Sequence, residues 1–190
     1  MRSVSRRAFL GVSGVGLAGS SAALLGACGG GGAAADVDDD TQGDIDLLNG
    51  ALELELEAVA AYTQGAELLS GEALDFGKQF AAQEQEHADA LEVVIEDLGG
   101  TPAGAKSAEE YATELSFDEL KSADDVLELA VEIENEAIAA YNKAVAALSQ
   151  PDLRRTVYAI VANEAQHLSV LYAELGEPPV PDAFVTGTPS

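Results

Sequence analysis

Residues 55–62, Glu-Leu-Glu-Ala-Val-Ala-Ala-Tyr, return as Glu-Asn-Glu-Ala-Ile-Ala-Ala-Tyr at 134–141, with six of eight positions identical at an offset of 79. A second signature follows each copy: Glu84-Gln85-Glu86-His87 after the first and Glu164-Ala165-Gln166-His167 after the second, at an offset of 80. The chain has no other histidine, and each of the two stands three residues after a glutamate. A duplicated segment of this length is a supersecondary unit, and the residue pattern makes that unit a helical hairpin. In a first helix Leu48, Leu52, Glu55, Val59, Tyr62, Ala66 and Leu69 recur at spacings of four and three, the inward stripe of a bundle helix. Glu55 lies in that stripe, whereas Glu53 and Glu57 do not.

The remaining stripes place the other candidates in the same way. Phe80, Glu84, His87, Leu91, Val94 and Leu98 line a second helix, Leu127, Glu134, Ile138, Tyr141, Val145 and Leu148 a third, and Leu153, Val157, Ile160, Glu164, His167, Leu171 and Leu175 a fourth. Glutamate and histidine thus stand where leucine would be expected. The set comprises a glutamate from each of two helices and Glu-x-x-His from each of the other two. It resembles the ligand set of the ferritin-like di-iron and di-manganese bundles. The resemblance covers residues 44–176 and implies an all-α, ferritin-like four-helix bundle with a long crossover between helices two and three. It also implies that Glu55, Glu84, His87, Glu134, Glu164 and His167 hold two metal ions, iron or manganese.

Physical chemistry supports that reading, because four carboxylates and two imidazoles in one core are costly unless paired. Two divalent ions offset the four charges, and carboxylates can bridge ions about 3.5–4 Å apart. If the halves contribute equivalently, Glu55 and Glu134 are terminal ligands, Glu84 and Glu164 are bridges, and the two histidines behave alike. Tyr62 and Tyr141 stand seven residues after Glu55 and Glu134. In ferritin-like relatives a tyrosine at this spacing hydrogen-bonds a ligand carboxylate on another helix, while the alternative here is an amphipathic core residue. Gln83 and Gln166 are expected on the solvent side.

Helix boundaries follow from caps and breakers. Asp44 or Asp46 can start the first helix, which runs to about Leu69; the second spans about 72–98 and is closed by Gly99-Gly100. Pro102 and Gly104 interrupt the rhythm over 101–122, where short helical turns are expected around 108–114 and 117–121. Ser122 caps a third helix over 123–148, and Pro151 opens a fourth that stops at Gly176. Four prolines in 177–190 exclude a long helix there, and this tail is expected to lie extended on the surface, with Phe184 and Val185 as docking points.

The first 27 residues have a separate logic. Ser5-Arg6-Arg7-Ala8-Phe9-Leu10 resembles a twin-arginine export motif, and Leu25-Gly26-Ala27-Cys28 resembles a lipobox, in which the cysteine is lipidated after cleavage. The apolar run is near the roughly 20 residues that span a bilayer, but its glycines and terminal cysteine favour cleavage. Residues 28–43 then read as a flexible tether, and the expected location is the cell envelope, outside the cytoplasmic membrane and anchored through lipid on Cys28. With Cys28 so used, no thiol is left for a Cys-x-x-Cys electron-transfer site.

Removing the leader leaves six basic against 34 acidic residues, a net charge of −28. Such a surface repels nucleic acid, attracts divalent cations, and equally suits a high-salt habitat. The resemblance implies a ferroxidase or an oxidant scavenger whose partners are metal ions and oxygen or peroxide; a homodimer is compatible with it. The competing expectation is a surface lipoprotein in which metal only stabilises the fold.

Overall fold

The computed structural model describes residues 38–187, whose regular structure is all helical, with no strand among them. The leader, Cys28 and most of the expected tether lie outside the described residues. Five α-helices follow in order: α1 (Asp39–Gly65), α2 (Gly71–Asp97), α3 (Ala108–Glu114), α4 (Ala123–Ala147) and α5 (Pro151–Glu174). The long helices α1, α2, α4 and α5 form the expected four-helix bundle. Short turns make α1/α2 and α4/α5 antiparallel hairpins, and α1 packs along α4. Residues 98–122 carry the chain from the end of α2 to the start of α4 through α3 and a 3-10 turn at Phe117–Glu119. This crossover covers the outside of α1 and α4, where Leu115 and Phe117 pack on Ala58, Ala61 and Ile133.

Local chemistry sets the ends. Ser107 and Ser122 each form a capping box, with Glu110 and Asp125 respectively, so α3 within the crossover and α4 after it begin where the sequence indicates. α2 closes with paired bonds from Gly100 N to Ile95 O and Gly99 N to Glu96 O, a geometry that needs the positive φ of Gly99, 84°.

The start of α1 departs from expectation. Asp38 caps it by accepting from Thr41 N at 2.9 Å, so residues 39–43, read as tether, are the first helical turn. Asp44 is no cap but a buried residue that accepts from Ser149 N and Ser149 Oγ, each at 2.7 Å. It thereby fastens the α4–α5 turn to α1. The helix also stops at Gly65 rather than Leu69; a Cβ at Gly65 would stand 2.6 Å from Val126 Cγ1, so glycine here allows the close approach of α4.

The tail is not helical over its described residues and lies on the surface, as expected. Its docking points differ. Phe184 remains 83% exposed, while Thr186 O accepts from Asn142 Nδ2 at 3.4 Å and Gly187 rests on the α4 backbone so closely that any side chain would collide with Ala139 N and Asn135 O. No helix among the described residues is long and apolar enough to cross a membrane.

Two apolar clusters fill the bundle. One, around Leu48, Leu52, Leu91, Ile95, Leu148 and Val157, occupies the end where α1 and α5 begin. The other, around Leu69, Phe80, Val126, Leu127 and Leu171, occupies the opposite end. Buried polar residues lie between them.

Candidate metal centre

Helical periodicity delivers the six candidate side chains to this middle layer. Glu55 comes from α1, Glu84 and His87 from α2, Glu134 from α4, and Glu164 and His167 from α5. The four glutamates and His167 are at most 1% exposed, whereas the His87 side chain is 13% exposed. A spacing of three keeps the Glu and His of each motif on one helix face, so both motifs point at the same volume.

The contacts divide into two overlapping groups. His87 Nδ1 lies 3.4 Å from Glu55 Oε2, 3.1 Å from Glu84 Oε2 and 3.0 Å from Glu164 Oε1. His167 Nδ1 lies 3.2 Å from Glu134 Oε1, 2.9 Å from Glu84 Oε1 and 3.1 Å from Glu164 Oε2. Glu84 and Glu164 therefore give one oxygen to each group, while Glu55 and Glu134 each serve one. Each group of four offers donor atoms all within 4.8 Å of one another, a spacing that could hold a metal ion.

The protein alone does not satisfy this cluster. A ring Nδ1 carries at most one hydrogen and cannot serve the three oxygens around it. Glu84 Oε1 and both oxygens of Glu164 are accordingly left without a hydrogen bond. Buried oxygens without partners are expensive, and cations placed between the groups would engage them. The donor set, one imidazole nitrogen and three carboxylates in each group, suits iron, manganese or zinc.

Protonation reflects the same geometry. Burial opposes the imidazolium of His87, but Glu164, Glu55 and Glu84 around it prevail and raise its pKa to about 12. His167 is raised to about 11 against its burial by Glu134, Glu164 and Glu84. Burial pushes Glu55 up to about 8 and Glu134 well above the carboxylate range. Glu84 is also buried, yet the His167 and His87 rings beside it hold it down to about 2, and Glu164 is lowered by the same two rings. The shared carboxylates are thus the charged ones.

Tyrosines cross-link the layer. Tyr62 on α1 donates to Glu134 Oε1 on α4, and Tyr141 on α4 donates to Glu55 Oε1 on α1. The Tyr141 hydroxyl holds Glu55 Oε1 and leaves Oε2 toward His87, whereas the Tyr62 hydroxyl meets the same Glu134 oxygen that faces His167 Nδ1.

One expectation fails. Gln83 is not on the solvent side: its Oε1 lies 2.9 Å from His167 Nε2, and Asn163 Nδ2 is 3.1 Å from the same nitrogen. Gln166 does face solvent, its amide bonded to Ala162 O at 2.9 Å. The surroundings of the two histidines differ, since Phe80 stacks on His167 at 4.0 Å between ring centroids and, among the described residues, no aromatic ring other than that of His167 meets His87. The sequence carried a clue to the amides, for Gln83 and Asn163 stand at the same offset of 80 as the motifs beside them.

Solved structures share this architecture. A conserved hypothetical protein from Mycobacterium tuberculosis aligns with a TM-score of 0.64 at 22% identity, over 77% of this chain and 99% of its own. Ferritin-like, diiron-carboxylate proteins from Bacillus anthracis align with a TM-score of 0.58 at 27% identity, over 73% of this chain and 99% of theirs. Dps from Listeria monocytogenes shares the fold, with a TM-score of 0.56 at 17% identity over 76% of this chain and 97% of its own. No curated protein matches the chain. Residues 43–177, which contain every side chain of the buried polar layer, match the ferritin-like domain family, and the chain belongs to that family.

Proposed function

We propose that this protein binds two iron ions between α1, α2, α4 and α5 and uses them as a ferroxidase or as a scavenger of oxygen or peroxide. The observation that carries this reading is the sharing of Glu84 and Glu164 between two groups that each hold a histidine and an unshared glutamate. The similarity to diiron-carboxylate proteins favours iron, and manganese suits the same donors. Bound ferrous ions would supply the electrons, one from each ion, for the two-electron reduction of peroxide to water.

The chain's own residues prepare that chemistry. Tyr62 and Tyr141 orient Glu134 and Glu55, so that one oxygen of each is held before any ion arrives. The apolar clusters on either side exclude water along the bundle axis, which leaves the seam between α2 and α5, the loosest of the four seams between neighbouring long helices, as the approach. We further propose export and anchoring through a lipid on Cys28, a reading that rests on the leader sequence alone.

The test is peroxide consumption. Protein loaded anaerobically with Fe(II) should remove peroxide with the appearance of ferric absorption, and Glu84→Ala should do neither. Wild-type rates no greater than those of free Fe(II) would leave only the structural role of metal.

A further inference from the structure

The duplicated sequence implies two interchangeable halves, yet the surroundings of the two imidazoles differ at every point that decides how firmly each is held. His167 is fully buried, with its ring face stacked on Phe80 at 4.0 Å and an interplanar angle of 28°. Its Nε2, the nitrogen turned away from the carboxylates, lies 2.9 Å from Gln83 Oε1 and 3.1 Å from the Asn163 amide. When Nδ1 faces a cation, Nε2 carries the hydrogen; Gln83 Oε1 accepts it, and the Asn163 amide, turned by a half-rotation, offers a second oxygen. His87 has none of this. Among the described residues all its polar contacts run through Nδ1, and its side chain is 13% exposed.

The duplication arithmetic shows how the difference arose. Gln83 and Asn163 are equivalent positions in the two halves, but both converge on one histidine rather than each on its own or its opposite. Phe80 corresponds to Ile160, so the aromatic cover exists on one side only.

We infer that Gln83, Asn163 and Phe80 are positioning residues for His167 alone, making the Glu134/His167 position the one that retains its ion and the Glu55/His87 position the one through which ions exchange. The inference deepens the proposed two-ion site and rests on it. A ring fixed in plane and tautomer presents its lone pair without rearrangement, so its ion leaves slowly. A ring with one free edge toward solvent can swing aside and release its ion.

Anaerobic Co(II) is the probe, because its visible absorption reports coordination without redox chemistry. Protein loaded with two Co(II) ions and mixed with excess chelator should lose one quickly and the other slowly. Gln83→Met and Asn163→Leu, which keep side-chain size and remove the acceptor, should speed the slow phase by about 10–100-fold, the usual effect of such partners, and leave the fast phase unchanged. Melting of the metal-free protein should fall modestly, because the buried His167 imidazolium loses the same acceptor, and the unchanged fast phase is what separates positioning from general damage. His87→Ala should retain one ion and only the slow phase.

Release of both ions at one rate overturns the inference while leaving the two-ion site intact. So does an amide variant that accelerates the fast phase. Protein that takes up no cobalt overturns the two-ion site itself and the inference with it.

Discussion

Metal uptake by this cluster should be an exchange of protons for ions. At neutral pH the metal-free layer holds two imidazoliums, with pKa values of about 12 and 11, against the ionised Glu84 and Glu164. Glu55, raised to about 8, and Glu134, raised further by its burial, keep their protons. The metal-free layer is therefore electrically neutral, and so are four carboxylates with two neutral imidazoles and two divalent ions. Loading should then release about four protons per chain, two from the rings and two from Glu55 and Glu134. Each proton contributes about 1.4 kcal/mol of binding free energy per pH unit, so affinity climbs steeply with pH.

The sign for the metal-free fold is opposite. Groups whose folded pKa is raised stabilise the fold while protonated: the contribution of Glu55 is complete below 4.5 and is lost as pH rises through about 8. The histidines contribute fully below 6.5 and are lost through about 11 and 12. Melting temperatures with and without Mn(II), measured anaerobically at pH 5.5, 6.5 and 7.5, should diverge as pH rises. Indicator dye in weak buffer at pH 7 counts the protons directly. Release of fewer than two protons, or a gap independent of pH, refutes the charge-exchange argument.

Other perturbations separate the parts. Glu84→Ala and Glu164→Ala should each abolish binding of both ions, whereas Glu55→Ala should weaken mainly one; equilibrium dialysis with Mn(II) distinguishes these outcomes. Asp44→Ala strips Ser149 of two bonds made inside the protein and should cost about 1–3 kcal/mol in urea unfolding, with metal stoichiometry unchanged. Cys28→Ser should move the protein from the membrane fraction to the soluble fraction, since a lipid chain is its proposed attachment. Retention in membranes would contradict the lipidation reading.

Much of the bundle was legible because helical periodicity is a local property. Once Glu55 falls in register with Leu48, Leu52 and Tyr62, no arrangement of a helix buries the leucines and leaves the glutamate in water. The duplication brought the four stripes together, and Ser122, read as a cap, fixes the start of α4 from adjacent residues. What escaped depends on distant partners. The burial of Asp44 is compensated by Ser149, 105 residues later, and a run of aspartates gave no local reason to prefer Asp38 as the cap. Gln83 sits at the edge of its stripe, where an amide ordinarily faces water; only the position of His167 on another helix draws it inward. Inequality between halves of a duplicated sequence is a tertiary property that the repeat itself conceals.

The central claim is that the shared carboxylates make one site for two ions. Anaerobic loading with Fe(II), removal of unbound metal by gel filtration, and elemental analysis against protein concentration test it directly. The proposed site predicts two irons per chain in the wild type and none in Glu84→Ala; iron-free wild-type protein, or two irons retained in Glu84→Ala, would contradict it.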